Sequence, residues 1–211
     1  MTPQPDGPKN LRDHIDLTKE KEKPMSDALA TSEDGRFRVR LVRDEDAANP
    51  REDGDNLVHV ITIDTHLGQY EPVDKDGGPL AAEWERLKWD RWEGIDLFTR
   101  YVATEHGGIV LESAPEKGPH SLWYMTGEEI LDLDRGLLSE GYIEAEKEDY
   151  EAWLAGDVWG FVVEETAAPE SDNPEWQHVD SFSGYYGGPD ARARAREALR
   201  FYAGRSAGTG A

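Results

Sequence analysis

Four runs of apolar residues predict strands along this chain. In RFRVRLVRD, residues 36–44, Phe, Val and Leu alternate with Arg, which is the period of a strand with one apolar face. Residues 56–64 are rich in β-branched side chains and predict a second strand. Residues 157–165 and 175–187 are aromatic and β-branched runs separated by a loop that contains Pro and Asn. These last two runs predict a pair of adjacent antiparallel strands.

Two further strand predictions come from shorter patterns. Residues 95–113 divide at Glu105–Gly108 into two extended runs, which predicts a hairpin with a Gly-containing turn. Another strand is predicted at Ser121–Met125. Within residues 157–165, side chains of one parity are expected to face the core. They are Trp159, Phe161 and Val163.

Helical spacing of apolar residues predicts four helices. The first covers residues 80–92, and its tryptophans are expected in the core. Thr126 and Glu129 form a capping box at the start of the second. The third covers residues 142–155 and stops at a glycine. The fourth covers residues 190–204 and also ends at a glycine. Its apolar stripe consists of Ala191, Ala195, Ala198 and Tyr202.

These elements predict an α+β fold, with a mostly antiparallel sheet of five or six strands and helices packed on it. Consecutive strand pairs with short loops, and no strict alternation of strand and helix, indicate this class. We expect one domain over residues 36–204 and a flexible C-terminus at 205–211. Residues 1–35 are polar and nearly free of aromatic side chains, so they predict a disordered tail.

The net charge of the chain limits the class of molecule that it is expected to bind. The 211 residues include 45 acidic and 23 basic ones, a net charge of −22. Residues 36–188 carry the excess of acid, whereas residues 189–211 are basic because five arginines outnumber two acids. A negative field repels nucleic acid and anionic lipid and attracts basic protein surfaces. Solubility or salt adaptation of the host explains the same composition, so this remains the alternative.

The absence of cysteine excludes disulfides, thiolate metal sites and a cysteine nucleophile. No apolar run approaches the roughly 18 residues that span a bilayer, and the N-terminal segment lacks the apolar centre of a signal peptide. We therefore expect a cytoplasmic protein, in the cytoplasm of a host cell.

No motif predicts a cofactor, metal or catalytic site. His59, Asp64 and His66 are close in sequence, but His59 and Asp64 differ in strand parity and would point to opposite faces. The serines of DSFSGYYGG lack the G-x-S-x-G pattern of hydrolases, and its glycines lack the Lys and following Ser or Thr of a phosphate-binding loop. Asp157 and Asp180 flank one hairpin, so a carboxylate pair competes there with simple strand-end capping.

The most informative charged feature is the segment Ser139–Glu151. Four glutamates follow i, i+4, i+8 and i+11 spacing and line one helix face. This acidic row consists of Glu140, Glu144, Glu148 and Glu151, with Glu146 and Asp149 beside it. At a rise of about 1.5 Å per residue, the six acids give roughly one charge per 3 Å, the same order as duplex DNA. Either a basic partner binds this face or it is a solvated surface.

Five stretches of the chain resemble a family of uncharacterised small proteins, mostly from bacteriophages and mobile elements. They are DNLVHVITIDTHLGQY (55–70), YVATEHGGIVL (101–111), GPHSLWYMT (118–126), DYEAWLAGDVWGFVVE (149–164) and WQHVDSFSGYYG (176–187). The family pattern often has Cys near DSFSGYYG, and this chain has none. The family has no established activity, so the resemblance implies a phage setting rather than a chemistry.

The leading hypothesis is a non-enzymatic phage or mobile-element protein that binds a basic host protein through its acidic helix. A nucleic-acid-mimicking inhibitor of a host defence system fits this reading. A second candidate contact lies in the glycine-rich segment with Gly184, Tyr185 and Tyr186. Two alternatives stay open. One is an enzyme or accessory factor of nucleotide or nucleic-acid metabolism, with Asp157, His178, Asp180 and Ser181 at its site; the other is a self-associating structural protein.

Overall fold

A computed structural model describes residues 28–52, 56–89, 91–132 and 139–207. Within these residues it contains seven strands and five helices. The strands are β1 (Ala30–Thr31), β2 (Phe37–Arg43), β3 (His59–Asp64), β4 (Ile109–Ser113), β5 (His120–Met125), β6 (Val158–Glu165) and β7 (Gln177–Tyr186). The helices are α1 (Ala81–Leu87), α2 (Arg91–His106), α3 (Gly127–Asp132), α4 (Ser139–Leu154) and α5 (Gly188–Ala207).

A three-stranded antiparallel sheet of order β3-β5-β4 is covered by helices on both faces. All residues of the central strand β5 are buried, as expected of a strand with no solvated side. Leu122 and Tyr124 pack in one apolar cluster with α1 and α2. Trp123 and Met125 point to the opposite face and pack in a second cluster with α4. Alternation along one strand therefore builds two cores.

A four-stranded antiparallel sheet of order β1-β2-β6-β7 packs one face against α5. Side chains of one parity in β2 and β6 meet the small inward side of the helix. The buried members of this cluster are Phe37, Val39, Phe161, Val163, Ala195 and Leu199. The predicted strand pair β6–β7 and the predicted packing of the C-terminal helix on the sheet are both confirmed.

An ion-pair cluster lies on the other face of the four-stranded sheet. Glu164 accepts a hydrogen bond from Nε of Arg38 at 2.6 Å and from Nη2 of Arg40 at 2.9 Å. The Arg38 guanidinium also lies 4.3 Å from the ring centre of Trp176. The hydrogen bond from Arg40 is the main reason why the pKa of Glu164 is lowered, although burial opposes the shift.

This cluster gives the fold a predicted pH dependence. Because the folded-state pKa of Glu164 is lowered, its stabilising contribution is present above the unfolded-state pKa and is lost as pH falls through the folded-state value. At neutral pH, Glu164→Gln is expected to lower the free energy of unfolding by about 1–3 kcal/mol. Urea denaturation at about pH 7 and about pH 3 measures the difference, which should shrink in acid.

Glu165→Gln is the matched control for this prediction. Glu165 pairs with Arg36 at 2.6 Å, but both side chains are much more exposed than those of the Glu164 cluster. An exposed pair contributes little, so the control should change stability by less than about 1 kcal/mol. Equal losses for Glu164→Gln at both pH values would contradict the assignment.

The α+β class is confirmed, but the strands form two sheets rather than one sheet of five or six strands. Helix α4 and the α1–α2 pair occupy the two faces of β3-β5-β4, whereas α5 packs on one face of the other sheet. None of the helices in the described ranges is long and apolar enough to cross a membrane.

The predicted hairpin over residues 95–113 is wrong in its first half, because residues up to His106 belong to α2. Ile95, Phe98 and Val102 are buried at i, i+3 and i+7 spacing, which is a helical period. Phe98 packs edge-on against Tyr124, at 5.5 Å between ring centres. The β-branched and aromatic content of this segment obscured the period, and tertiary packing decided the outcome.

Both predicted boundaries of the folded region shift outward. The predicted disordered tail at 1–35 includes β1, whose Ala30 and Thr31 pair with β2. The remainder of that prediction falls on residues 1–27, which lie outside the described residues. At the other end, α5 continues past Gly204 to Ala207, three residues into the segment predicted to be flexible.

Three tryptophans predicted in the core are not there. Trp89 is 76% exposed and Trp92 is 67% exposed, although Trp84 of α1 is buried. Trp159 is half-buried: the Arg43 guanidinium lies 4.8 Å from its ring centre, and its indole N–H donates to Asp157 at 2.7 Å. These predictions rested on helical spacing in residues 80–92 and on strand alternation in residues 157–165. Neither pattern shows where an element leaves the core.

Candidate partner-binding surface

Helix α4 is fixed to the three-stranded sheet by its apolar side. Ile143 and Tyr150 are buried, and the Tyr150 ring lies 5.7 Å from that of Trp123. The helix ends where the N–H of Gly156, at φ 67°, donates to the carbonyl of Trp153 at 2.9 Å. Glycine tolerates this left-handed conformation, so the predicted stop is confirmed.

The outward side of α4 carries three glutamates that form the acidic stripe: Glu140, Glu144 and Glu148. All three are exposed. Within the described part of the chain, no basic side chain lies within 4 Å of their carboxylates. Residues four apart rise by about 6 Å, so the stripe spans about 12 Å along one helix face. The stripe is therefore a solvent-facing row of negative charge on a rigid support.

The fourth member of the predicted acidic row, Glu151, does not belong to this free surface. It is half-buried, accepts a hydrogen bond from the Ser113 hydroxyl at 2.5 Å, and lies 3.5 Å from Nζ of Lys147. Glu151 thus connects α4 to the end of β4. Its contribution to partner binding stays a prediction, but its carboxylate already has two intramolecular partners.

Glu146 is likewise held by the fold, through a buried arginine that sequence reasoning missed. Arg51 has a side chain only 5% exposed and pairs with Glu146 and with Asp74, the latter at 3.1 Å. Arg51 also donates to the carbonyl of Val58 at 2.7 Å and lies 5.2 Å from the ring centre of Trp123. This Arg51 cluster joins a loop, the sheet and α4.

The sequence holds no local signal for the Arg51 cluster, because Glu146 is 95 residues away and Asp74 is 23. Each carboxylate also accepts a backbone N–H, from Leu57 to Glu146 at 3.1 Å and from Val60 to Asp74 at 3.0 Å. The like-charge repulsion expected on α4 is thus partly relieved by a distant residue. A buried carboxylate requires a cationic or hydrogen-bonding partner. That general requirement is the only basis on which the sequence could have predicted a partner for Glu146 or Asp74.

The pKa of Asp149 on α4 is raised. Partial burial is the main cause, and the charges of Asp190, Glu148 and Glu146 add to it. A raised folded-state pKa means that the ionised carboxylate destabilises the fold at neutral pH and that protonation relieves this. Asp149→Asn is therefore expected to raise the free energy of unfolding at neutral pH by about 0.5 kcal/mol.

The gain from Asp149→Asn should fade as pH falls through the raised pKa, since the wild-type carboxyl is then neutral as well. Thermal or urea unfolding across the acid range measures this. Glu170→Gln, at an exposed position in the loop between β6 and β7, is the control for a general effect of net charge. An unchanged or lower stability of Asp149→Asn at neutral pH would contradict the sign.

The second candidate contact surface, Gly184, Tyr185 and Tyr186, makes mainly intramolecular contacts. Tyr185 is half-buried and stacks on Phe161, at 5.8 Å between ring centres. Tyr186 is half-buried and its hydroxyl donates to the carbonyl of Ala48 at 2.9 Å. Gly184 is exposed at φ 81°, within strand β7 at a register shift, and its N–H donates to Asp44 at 3.1 Å. The binding role of these three residues stays a prediction.

His178, Asp180 and Ser181 of the alternative catalytic site all lie on β7, but Asp157 is not brought next to Asp180. Val158 pairs with Tyr186 and Val163 pairs with Asp180, so Asp157 and Asp180 are separated by about 20 Å of strand. Asp180 accepts a hydrogen bond from the Tyr202 hydroxyl of α5, and Asp157 accepts one from the Trp159 indole. The proposed carboxylate pair is therefore wrong, and each carboxylate serves local structure.

Two histidines, His59 and His120, have carboxylate partners. His59 pairs with Glu129 at 2.6 Å, where Glu129 also accepts the backbone N–H of Thr126 in the predicted capping box, which is confirmed. His120 pairs with Glu112 at 2.6 Å. In the described ranges, no three His, Asp or Glu side chains are close enough to hold a metal ion.

A cavity of about 330 Å³ lies beside the His59–Glu129 pair. Asn56, Leu57, Met125 and Asp132 complete its described lining. Burial opposes ionisation of Glu129, but hydrogen bonds from Thr126 and His59 lower its pKa overall. The Glu129 carboxylate is therefore held as a helix cap and as the hydrogen-bond partner of His59.

No protein-family model, curated protein or solved structure matches this chain. The candidate surface therefore stands on its own geometry: three exposed glutamates, without a basic partner among the described residues, on a helix whose other side is anchored in the core.

Proposed function

We propose that this chain is a non-enzymatic acidic binding protein and that the acidic stripe on α4 is its contact surface. The observation that carries the proposal is the contrast between acids on one helix. Glu146 and Glu151 are held by Arg51, Lys147 and Ser113, whereas the stripe has no such partners within the described residues. Such a row of negative charge on a rigid helix can bind cationic side chains of another protein.

The proposed partner is a basic protein surface of the kind that binds nucleic acid. Complementary charge gives fast association and a dependence on ionic strength. The net charge of −22 extends the attractive field beyond the stripe itself. The bacteriophage or mobile-element setting belongs to the same proposal, with a restriction, CRISPR or other defence component of the host as the class of target. The protein would act by occupying that component's nucleic-acid-binding surface.

Affinity capture from a lysate of the host tests this proposal. The tagged chain serves as bait at low and high salt, and duplex DNA is added as a competitor. We expect a basic protein that is released both by salt and by DNA. Capture of a partner that neither salt nor DNA releases would contradict the proposed mode of binding.

The stripe variant, Glu140→Gln/Glu144→Gln/Glu148→Gln, is the matched negative bait. Glutamine keeps the size and nearly the helix propensity of glutamate, so α4 should remain intact. A control bait with Glu116→Gln/Glu170→Gln/Glu175→Gln removes the same number of charges from exposed positions outside α4. The proposal predicts that the control bait retains the partner and the stripe variant loses most of it.

A further inference from the structure

Helix α5 carries a row of arginines without acidic partners. Arg192, Arg196 and Arg200 are all exposed and follow i, i+4 and i+8 spacing, and we call them the arginine stripe. Within the described part of the chain, no carboxylate lies within 4 Å of these three guanidinium groups. By contrast, Arg194 of the same helix pairs with Glu197 at 3.1 Å. The arginine stripe is thus a positive patch on a chain of net charge −22.

Packing of α5 fixes the direction of the arginine stripe. Ala191, Ala195 and Leu199 are buried against the four-stranded sheet, and each arginine of the stripe follows one of them by a single residue. One residue is about 100° of helix rotation, so the arginines lie on the flank of the buried side. They cannot turn into the core without unseating the helix. The stripe therefore remains available to a binding partner.

The acidic stripe on α4 matches the arginine stripe in length and spacing. Both contain three charges at four-residue intervals, and each spans about 12 Å. Within one molecule the two stripes do not meet, since none of these glutamates lies within 4 Å of an α5 arginine. We propose that they meet between molecules: the arginine stripe of one copy of this chain binds the acidic stripe of a second copy.

In a two-fold dimer of this kind, each copy would contribute one acidic stripe and one arginine stripe, so the same contact would occur twice. Mutual repulsion of two acidic molecules opposes the dimer, but its range is limited to about 8 Å at physiological ionic strength. Exposed ion pairs individually contribute little, so the dimer is weak and dependent on concentration.

This inference rests on the proposed function, because the dimer uses the same acidic stripe. Self-association would cover the stripe in concentrated protein, and a basic partner would displace the second copy. The arginine stripe of the second copy thereby competes with the basic partner for the acidic stripe. It also indicates the chemistry of that partner, namely a row of cationic side chains that tracks one face of α4.

Sedimentation velocity of the full chain over a concentration series tests the proposal by charge exchange. The first variant is Arg192→Glu/Arg196→Glu/Arg200→Glu, and the second is Glu140→Lys/Glu144→Lys/Glu148→Lys. We expect wild type to show a weight-average mass that rises with concentration and falls at high salt. Each variant alone should remain monomeric, whereas an equimolar mixture should associate, because the reversed stripes are complementary to each other.

Circular dichroism melting of both variants confirms that each is folded before the comparison. A wild-type chain that stays monomeric throughout, association that survives reversal of either stripe, or a mixture that fails to associate would overturn the proposal. Stripe-dependent binding of fluorescent single-stranded DNA without self-association would overturn it as well.

The arginine-reversed variant separates this inference from the proposed function. It keeps the acidic stripe intact, so it should still capture the basic partner even though it no longer self-associates. If wild type is monomeric but the acidic stripe still binds the partner, only the dimer is wrong. If wild type dimerises but no salt-sensitive basic partner is captured, the proposed function is wrong and the arginine stripe remains the ligand of the acidic stripe.

Discussion

Replacement of Arg51 by methionine is expected to lower the free energy of unfolding by about 3–5 kcal/mol, the largest effect of any single change predicted for this chain. The substitution removes a side chain that is 95% buried and leaves Asp74 and Glu146 without their shared cation. Each carboxylate keeps one backbone N–H, which does not compensate for the lost ion pair. Urea denaturation measures the loss.

Arg51→Lys is the matched control for this prediction. Lysine keeps the charge but has only one nitrogen, whereas arginine donates from Nη2 to Asp74 and from Nη1 to Glu146, so an intermediate loss is expected. Hydrogen exchange gives a second readout: the amides of α4 should exchange faster in Arg51→Met, because Glu146 no longer anchors the helix. A loss below about 1 kcal/mol for Arg51→Met would contradict the structural role assigned to this cluster.

The stripe variant is expected to weaken binding to a purified basic partner by about threefold to 150-fold. This follows from three exposed ion pairs at about 0.2–1 kcal/mol each, and a tenfold change corresponds to about 1.4 kcal/mol. Most of the loss should appear as a slower association rate, and the remaining affinity should depend less on ionic strength. Surface plasmon resonance over a salt series measures both.

Stability controls keep this second prediction interpretable. Removal of like charges on α4 should leave the melting temperature unchanged or slightly higher. The Glu116→Gln/Glu170→Gln/Glu175→Gln control should bind with nearly wild-type affinity, since only the long-range field changes. Equal weakening by both triple variants would show that net charge, rather than the surface of α4, governs binding.

Local patterns were sufficient to predict much of this fold. The alternation in residues 36–44, the apolar runs of β6 and β7, the Thr126–Glu129 capping box and the glycine stop of α4 all appear in the structure. In each case the residues that determine the structure lie within a few positions of one another. The exposure of the acidic stripe follows in the same way from helical spacing.

The failures share a different cause, which is contact with residues distant in sequence. The β-branched content of α2 favours a strand, but its buried period-3.6 face packs on β5 and α1 and makes it a helix. The seven strands divide into the sheets β1-β2-β6-β7 and β3-β5-β4, and pairs such as β2–β6 join segments far apart in sequence. Neither outcome is visible in a window of ten residues.

The candidate site shows the same division between local and distant signals. Helical spacing alone placed Glu151 in the acidic row. In the structure its carboxylate accepts a hydrogen bond from the Ser113 hydroxyl of β4. Spacing likewise gave no reason to connect Glu146 with Arg51. Helical periodicity predicted which acids share a face, and only the tertiary structure determined which of them remain unpaired.

Zero-length carbodiimide cross-linking of the purified complex shows whether the acidic stripe contacts the basic partner, because this reagent joins carboxylates only to amines in contact. We expect cross-linked peptides that connect Glu140, Glu144 or Glu148 to lysines of the basic partner. Cross-links in which partner lysines join only carboxylates outside α4, such as Glu116, Glu170 or Glu175, would contradict it.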